Sequence, residues 1–195
     1  MSALVEVTGA VAFAARPGDF VVVAGPSGTG KTALLHGLVG VAAMVHGAVR
    51  WSGVDARLWH DVTLVPQSIT LLDELTAADN VGLPSLLATR RPPERAAEVL
   101  EALGLTRLRD RLVGQISVGE RQRTMVARAV ATPSTVVLAD EPTAHQDDGY
   151  ARRVIELLRA ETLRGRTCIV ATRDPGPWLA GGPARLVELP ARSPA

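Results

Sequence analysis

Hydrophobic positions along this chain fall into short unbroken runs, set between longer stretches in which apolar residues recur at helical spacing. Phe20-Val21-Val22-Val23-Ala24 has no polar face, and such a run predicts a strand buried on both sides. Val62–Val65, Val136-Val137-Leu138-Ala139, Thr167–Ala171 and Arg185–Leu189 predict further strands, and Leu4–Val7, Val11–Ala14 and segment 47–52 read as shorter β segments. Arg16-Pro17-Gly18-Asp19 is a turn. Helical spacing begins at Lys31 with Ala33-Leu34-Leu35 and Leu38-Val39. It returns at Ala96–Leu103, opened by Pro92-Pro93-Glu94-Arg95 and stopped at Gly104. Ser117 is placed to cap a helix from about Gly119 to Ala131, and another covers about Tyr150–Leu163. Strands alternating with helices predict an α/β domain with a mainly parallel sheet. The helical middle, roughly 68–130, reads as an insertion into a single domain spanning 1–195. There is no internal repeat, and the Pro-rich end (Pro190, Pro194) is expected to fray.

Composition narrows this picture. The 195 residues are 47% hydrophobic, which supports one packed core and excludes wholesale disorder. Lys and Arg number 21 against 20 Asp and Glu, a net charge of +1, so no bulk polyanion-binding signature exists and no nucleic-acid partner is expected. A single cysteine, Cys168, allows neither an intrachain disulfide nor a Cys-based zinc site. Glycine-free apolar stretches such as Val41–Val45 fall far below the ~18 residues of a membrane span. Met1–Val7 lacks a basic segment leading into an apolar core, so a cytoplasmic protein is expected. Aromatic residues make up only 3%.

Two motifs carry chemistry. Gly25-Pro26-Ser27-Gly28-Thr29-Gly30-Lys31-Thr32 fits G-x-x-x-x-G-K-[ST], a loop whose glycines let backbone N–H groups surround phosphate. It follows a buried strand and opens a helix, the context that anion binding at a helix N-terminus requires. Lys31 is expected to reach the β/γ-phosphates and the Thr32 hydroxyl to bind Mg²⁺. The apolar run from Val136 ends in Asp140-Glu141; Asp140 is the expected Mg²⁺ carboxylate and Glu141 the group that polarises the attacking water. His36, His46, His60 and His145 show no metal spacing and read as surface or packing residues. Cys168 reads as a buried structural thiol. Trp51, Trp59 and Trp178 read as packing residues, and Arg121-Gln122-Arg123 with Arg128 as a helix face making solvent and interface contacts.

Ile116-Ser117-Val118-Gly119-Glu120-Arg121-Gln122-Arg123, about twenty residues before Asp140, resembles the signature motif of the ATP-binding cassette (ABC) ATPases. Other pieces follow in the family's order: Gln67 matches the Q-loop glutamine, Asp140-Glu141-Pro142-Thr143 the Walker B extension, Ala144-His145-Gln146-Asp147 the D-loop, and Thr172-Arg173-Asp174 the switch-histidine position. Gln67–Ser68, Leu71-Leu72, Leu75-Thr76-Ala77 and Asp79-Asn80-Val81 look most like the lipoprotein-releasing and macrolide-export subunits. The resemblance implies a P-loop NTPase (RecA-like) core with an N-terminal antiparallel β portion and an inserted helical subdomain. It implies a head-to-tail dimer, homomeric or with another ABC ATPase, that sandwiches two ATP molecules with Mg²⁺. Ser117 and Gly119 of one subunit then face the γ-phosphate held by the other's P-loop, and Gln67 senses Mg²⁺ and water. A membrane permease docks on the helical subdomain, leaving the ATPase peripheral at the inner face of the membrane.

Three departures from the pattern bear on activity. Val118 stands where the signature has its first glycine, and a β-branched residue there excludes positive φ and brings a side chain toward the nucleotide. Arg173 replaces the switch histidine; it can contact a γ-phosphate but cannot shuttle a proton. The segment that usually carries an adenine-stacking aromatic is missing, and Phe13 aligns with a core position. The expectation is ATP binding with little base selectivity and slow hydrolysis. A regulatory or structural subunit, in which ATP drives dimerisation with little turnover, is the alternative. A small-molecule kinase is disfavoured by Gln67 and the Ser117–Arg123 segment. Chromosome-type ABC ATPases need coiled-coil insertions that 195 residues cannot hold.

Overall fold

The computed structural model describes residues 3–9, 11–42, 47–56 and 59–190. Met1, Ser2, His46, Pro194 and the 43–45 part of the apolar stretch at 41–45 lie outside them. Five parallel strands form the central sheet: β3 (Phe20–Ala24), β5 (Val62–Val65), β6 (Val136–Asp140), β7 (Thr167–Thr172) and β8 (Arg185–Glu188), in the order β5-β6-β7-β3-β8. Every residue of β3, β5, β6 and β7 is buried, as their unbroken apolar runs require. An antiparallel sheet, β2-β1-β4, is built from β1 (Val5–Gly9), β2 (Phe13–Ala15) and β4 (Gly47–Trp51). The turn at 16–19 joins the two sheets, with Asp19 accepting from the Arg16 N–H through Oδ2 at 2.8 Å.

Alternation along the strands divides the core into two layers. Val21 and Val23 face α1 (Lys31–Leu38) and the antiparallel sheet, joining Leu34, Leu35, Leu38, Leu138 and Ile169. Phe20 and Val22 face the other way, into a layer shared with α4 (Val118–Ala131) and α5 (Asp148–Leu163). Between β5 and β6 lies the helical unit: α2 (Ala77–Thr89), α3 (Ala96–Ala102) and α4. The hydrophobic pattern does not mark α2, because Pro84 sits inside it and apolar residues occupy both its faces. Thr76 nevertheless caps it, its hydroxyl accepting from the Asp79 N–H at 3.1 Å. The five-residue α6 (Gly176–Ala180) is too short to show a period, and places Trp178 in the core stacked on Phe20 at 6.1 Å.

The arginine run on α4 corrects the sequence expectation of a solvent-facing helix side. Gln122, Arg123 and Arg128 are buried, since α4 packs against α2, α3, α5 and β5 at once. A second buried polar cluster ties the helical unit to the core. Glu161 of α5, with no exposed side-chain area, pairs with Arg95 before α3 (2.8 Å), Arg164 (3.0 Å) and Arg166 (2.9 Å). Arg166 also donates to the Val130 carbonyl at the end of α4, at 2.7 Å.

Candidate nucleotide site

The loops leaving the C-terminal ends of β3, β5, β6 and β7 converge on one cleft of about 790 Å³, the edge at which open parallel sheets bind ligands. Ser27, Gly28, Gly30, Lys31, Thr32, His36, Gln67, Asp140, Glu141, Ala144, His145 and Arg173 line it. The P-loop runs from β3 into α1. Gly30, at φ 98°, turns the chain into the first helical residue, a conformation a side chain would strain. A Cβ on Gly25 would sit 2.8 Å from Thr29 Oγ1 and 3.1 Å from the Leu189 carbonyl oxygen, so a side chain there would crowd the loop. Lys31 is buried and its ammonium donates to the carbonyls of Gly25 (2.7 Å) and Pro26 (3.0 Å).

Across from the loop, the Thr32 hydroxyl donates to Asp140 Oδ2 at 2.5 Å. Burial holds the Asp140 carboxyl above its ordinary range, and the Thr32 hydrogen bond, Lys31 and His36 offset part of that cost. Glu141 follows at φ 47°, its N–H anchored to the Ala171 carbonyl at 2.9 Å. One of its carboxylate oxygens lies 4.0 Å from Lys31 Nζ and 3.4 Å from Arg173 Nε, and the other accepts from the Thr172 hydroxyl at 3.4 Å. The fold therefore brings Lys31, Thr32, Gln67, Asp140, Glu141 and Arg173 to one place, although they span most of the chain.

Ser117 and Gly119 are not among the cleft residues of their own chain. They lie at the start of α4, Ser117 exposed and Gly119 half-buried, where a capping box satisfies the helix end: Glu120 accepts from the Ser117 N–H and hydroxyl, both at 2.8 Å. Val118 keeps to the sequence reading that positive φ is excluded there. It is the first residue of α4 and lies outside the left-handed region, so no backbone strain attends its β-branched side chain. What remains is the side chain itself, 50% exposed at the helix start.

The other candidates fall as follows. Phe13 is buried in the core. The Trp51 indole N–H donates to the Leu38 carbonyl at 3.0 Å, and Trp59 lies beside Arg128. His60 is exposed beside Asp55 and Asp61. His36 and His145, read from sequence as surface or packing residues, both line the cleft. Sequence reasoning missed Gln146 as a structural contact: its amide joins Arg123 and the Gly119 carbonyl. No local signal marks that pairing, which joins a neutral amide to a guanidinium and a backbone carbonyl on a distant motif.

A phosphate loop opening a helix, facing a hydroxyl and two adjacent carboxylates at the ends of parallel strands, defines a P-loop nucleotide-binding protein. The family model described as ABC transporter matches residues 9–144, and the chain belongs to that family as an ATP-binding subunit of the lipoprotein-release and macrolide-export type. It is 38% identical over 183 residues to the lipoprotein-releasing system ATP-binding protein LolD of Gluconobacter oxydans, covering 87% of this chain and 79% of the relative. It is 37% identical over 172 residues to the macrolide export ATP-binding/permease protein MacB of Marinobacter nauticus, covering 82% of this chain and 27% of that longer protein. Among solved structures, the dimeric post-hydrolysis state of the ATP-binding cassette MJ0796 with ADP and Pi superposes with a TM-score of 0.82. That match has 26% identity and covers 95% of this chain and 94% of the other.

Proposed function

We propose that this chain hydrolyses ATP at the cleft between Lys31 and Glu141 and drives a separately encoded membrane permease, with slow turnover. The observation that carries this is the assembled set of Lys31, Thr32, Asp140 and Glu141, with Thr32 Oγ1 and Asp140 Oδ2 only 2.5 Å apart. Adjacent hard oxygen donors of this kind suit Mg²⁺, with Gln67 supplying a further oxygen. When bound, the metal neutralises charge on the β- and γ-phosphates. Lys31 exchanges its loop carbonyls for phosphate oxygens. Glu141 orients the water that attacks the γ-phosphorus; the bond to the β-phosphate oxygen breaks, ADP departs, and the water's proton passes to the carboxylate or solvent. Ser117 and the Gly119 N–H, at the positive end of α4, meet the γ-phosphate of a partner subunit's nucleotide.

Slow turnover follows from Val118 and Arg173. Arg173 approaches Glu141 at 3.4 Å and competes with the water for that carboxylate. In a homodimer every site carries both departures, whereas an intact partner leaves one in each. The permease is proposed to dock at the apolar groove of about 610 Å³ between α2 and the core, whose walls include Trp59, Leu64, Pro66, Leu83, Pro84 and Leu87. The protein would then lie at the cytoplasmic membrane face through that partner. Among the described residues, no helix is long and apolar enough to cross a membrane.

Steady-state ATP turnover of the purified chain tests the reading. Wild type is expected to turn over slowly and Glu141→Gln to lose at least about tenfold. Arg173→His and Val118→Gly are expected to raise the rate. Fast wild-type turnover would sink the impairment. A rate indifferent to Glu141→Gln would favour the nucleotide-driven dimerisation role, which the Arg173–Glu141 pairing also motivates.

A further inference from the structure

A second cavity, of about 650 Å³, lies where the helical unit meets the core, and it shares no residue with the nucleotide cleft. That volume is typical of a small-molecule site. Pro92 and Pro93 separate α2 from α3, Pro133 follows the end of α4, and all three line the cavity beside Val130 and Ala131. Prolines carry no N–H, so this wall is apolar and poor in donors. Three side chains elsewhere on the wall hold donors that no protein group uses. Ser85 is 5% exposed; its carbonyl accepts from the Thr89 hydroxyl at 2.9 Å, but its own hydroxyl has no partner among the described residues. Arg91 is exposed, and its guanidinium makes no ion pair or hydrogen bond among them. Arg166 commits both terminal nitrogens, to the carbonyls of Ala129, Val130 and Thr132, the Ser134 hydroxyl and Glu161. Its buried Nε–H is left without a partner. Buried donors are rarely left so, and an acceptor from outside the chain would complete this one.

Charge sets the kind of acceptor. Arg91, Arg95 and Arg166 line the cavity together with Glu94, while the fully buried Glu161 pairs with Arg95 and Arg166. Glu98 and Arg164 beside them cancel each other. Three cations against two carboxylates leave one positive charge, which a monoanion balances and a dianion overshoots. We propose that this cavity binds a small amphipathic monoanion, an apolar body carrying one carboxylate. The body lies against Pro93, Val130, Ala131 and Pro133, and the carboxylate accepts from Ser85, Arg91 and Arg166 Nε. Ser85 and Arg91 belong to the helical unit and Arg166 to the core, so the ligand bridges the two and its binding stabilises their joint. None of this depends on ATP hydrolysis.

The test uses the full chain with 1-naphthoate and octanoate as probes, followed by titration calorimetry and methyl NMR. Saturable binding is expected with a Kd of about 1 mM or tighter, the affinity that ligands of this size reach at ordinary efficiency. The uncharged 1-naphthamide should bind about tenfold more weakly than 1-naphthoate, and the dianion 1-naphthyl phosphate no more tightly. Ser85→Ala should weaken 1-naphthoate about tenfold and Arg91→Gln about threefold, as a buried and an exposed contact to a carboxylate differ. Methyl signals of Val130 and Ala131 should shift, while those of Leu83 and Leu87 in the apolar groove stay in place. Saturating ATP should not displace the probe. Displacement by ATP, shifts at Leu83 and Leu87 in place of Val130 and Ala131, or a Kd indifferent to either substitution overturns the site. Tighter binding of the phosphate or of the amide overturns the monoanion. So does the lack of saturable binding of both probes up to about 10 mM. Should Ser85→Ala fail to fold, Arg91→Gln, at an exposed position, decides alone. An inactive ATPase would count against the proposed hydrolysis and leave every arm of this test intact.

Discussion

Single residues in this protein owe their chemistry to what surrounds them more than to their type. Lys31 and Arg173 approach the same oxygen of Glu141 at 4.0 and 3.4 Å, so that carboxylate is held between two cations. Cys168 shows the opposite environment. It is the second residue of β7, its thiol donates to the Leu158 carbonyl at 3.3 Å, and burial pushes its pKa up to about 12. Since the thiolate is the reactive species, and the thiol is the favoured form at any pH below that value, the native protein should resist alkylation. At pH 8, labelling with iodoacetamide or a chromogenic disulfide is expected to be negligible over an hour when native and to reach one thiol per chain in denaturant. ATP turnover after such treatment should be unchanged. Rapid native labelling would mean that β7 opens or that Cys168 is not packed as described.

Elements are joined here by buried ions as well as by apolar contacts, and the joints have a pH dependence. Burial alone would raise the Glu161 carboxyl, but hydrogen bonds from Arg95 and Arg166 outweigh it and hold the group below its ordinary value of 4.5. A carboxylate depressed in the folded state contributes stability that is complete above its unfolded pKa and is lost as pH falls through the folded value. Urea midpoints should therefore drop below about pH 4.5 more steeply for wild type than for Glu161→Gln, with the arginines charged throughout. Near neutral pH, Glu161→Ala should cost about 3–5 kcal/mol, because it strands Arg166 as a buried charge. A wild-type acid limb parallel to that of Glu161→Gln would show the cluster to be solvated. This joint was not legible in the sequence, which displays Arg95, Glu161 and Arg166 as scattered charges. The sheet was legible, because β3, β6 and β7 are contiguous apolar runs, and so were the P-loop and Asp140-Glu141, whose residues are neighbours along the chain. The burial of Arg123 and Arg128 was not, because it depends on four elements closing around α4. Neither was α2, because Pro84 breaks the expected pattern and the helix is held by its Thr76 cap and its packing on α4.

At the scale of the whole molecule, the scarcity of aromatic residues bears on nucleotide choice. Only 3% of the chain is aromatic, and the described residues that line the cleft include none. All six Phe, Tyr and Trp side chains are engaged elsewhere: Phe13 in the core, Phe20 and Trp178 against each other, Trp51 on α1, Trp59 beside Arg128, and Tyr150 under Arg123. On the proposed reading the triphosphate is the recognised part of the ligand, and no Phe, Tyr or Trp among the described cleft residues is placed to stack on the base. A stacking aromatic is worth about 1–3 kcal/mol per base, and a stacked base with fixed edges is what a protein needs to prefer adenine. Competition of ATP and GTP against a fluorescent ATP analogue should therefore give affinities within about threefold of each other, whereas a stacked adenine would favour ATP by roughly tenfold or more. A strong ATP preference would place another group against the base and remove the basis for the prediction. Equal affinity would make hydrolysis of GTP at a rate close to that of ATP the next expectation, because every residue assigned to the chemistry, from Lys31 to Glu141, acts on the phosphates.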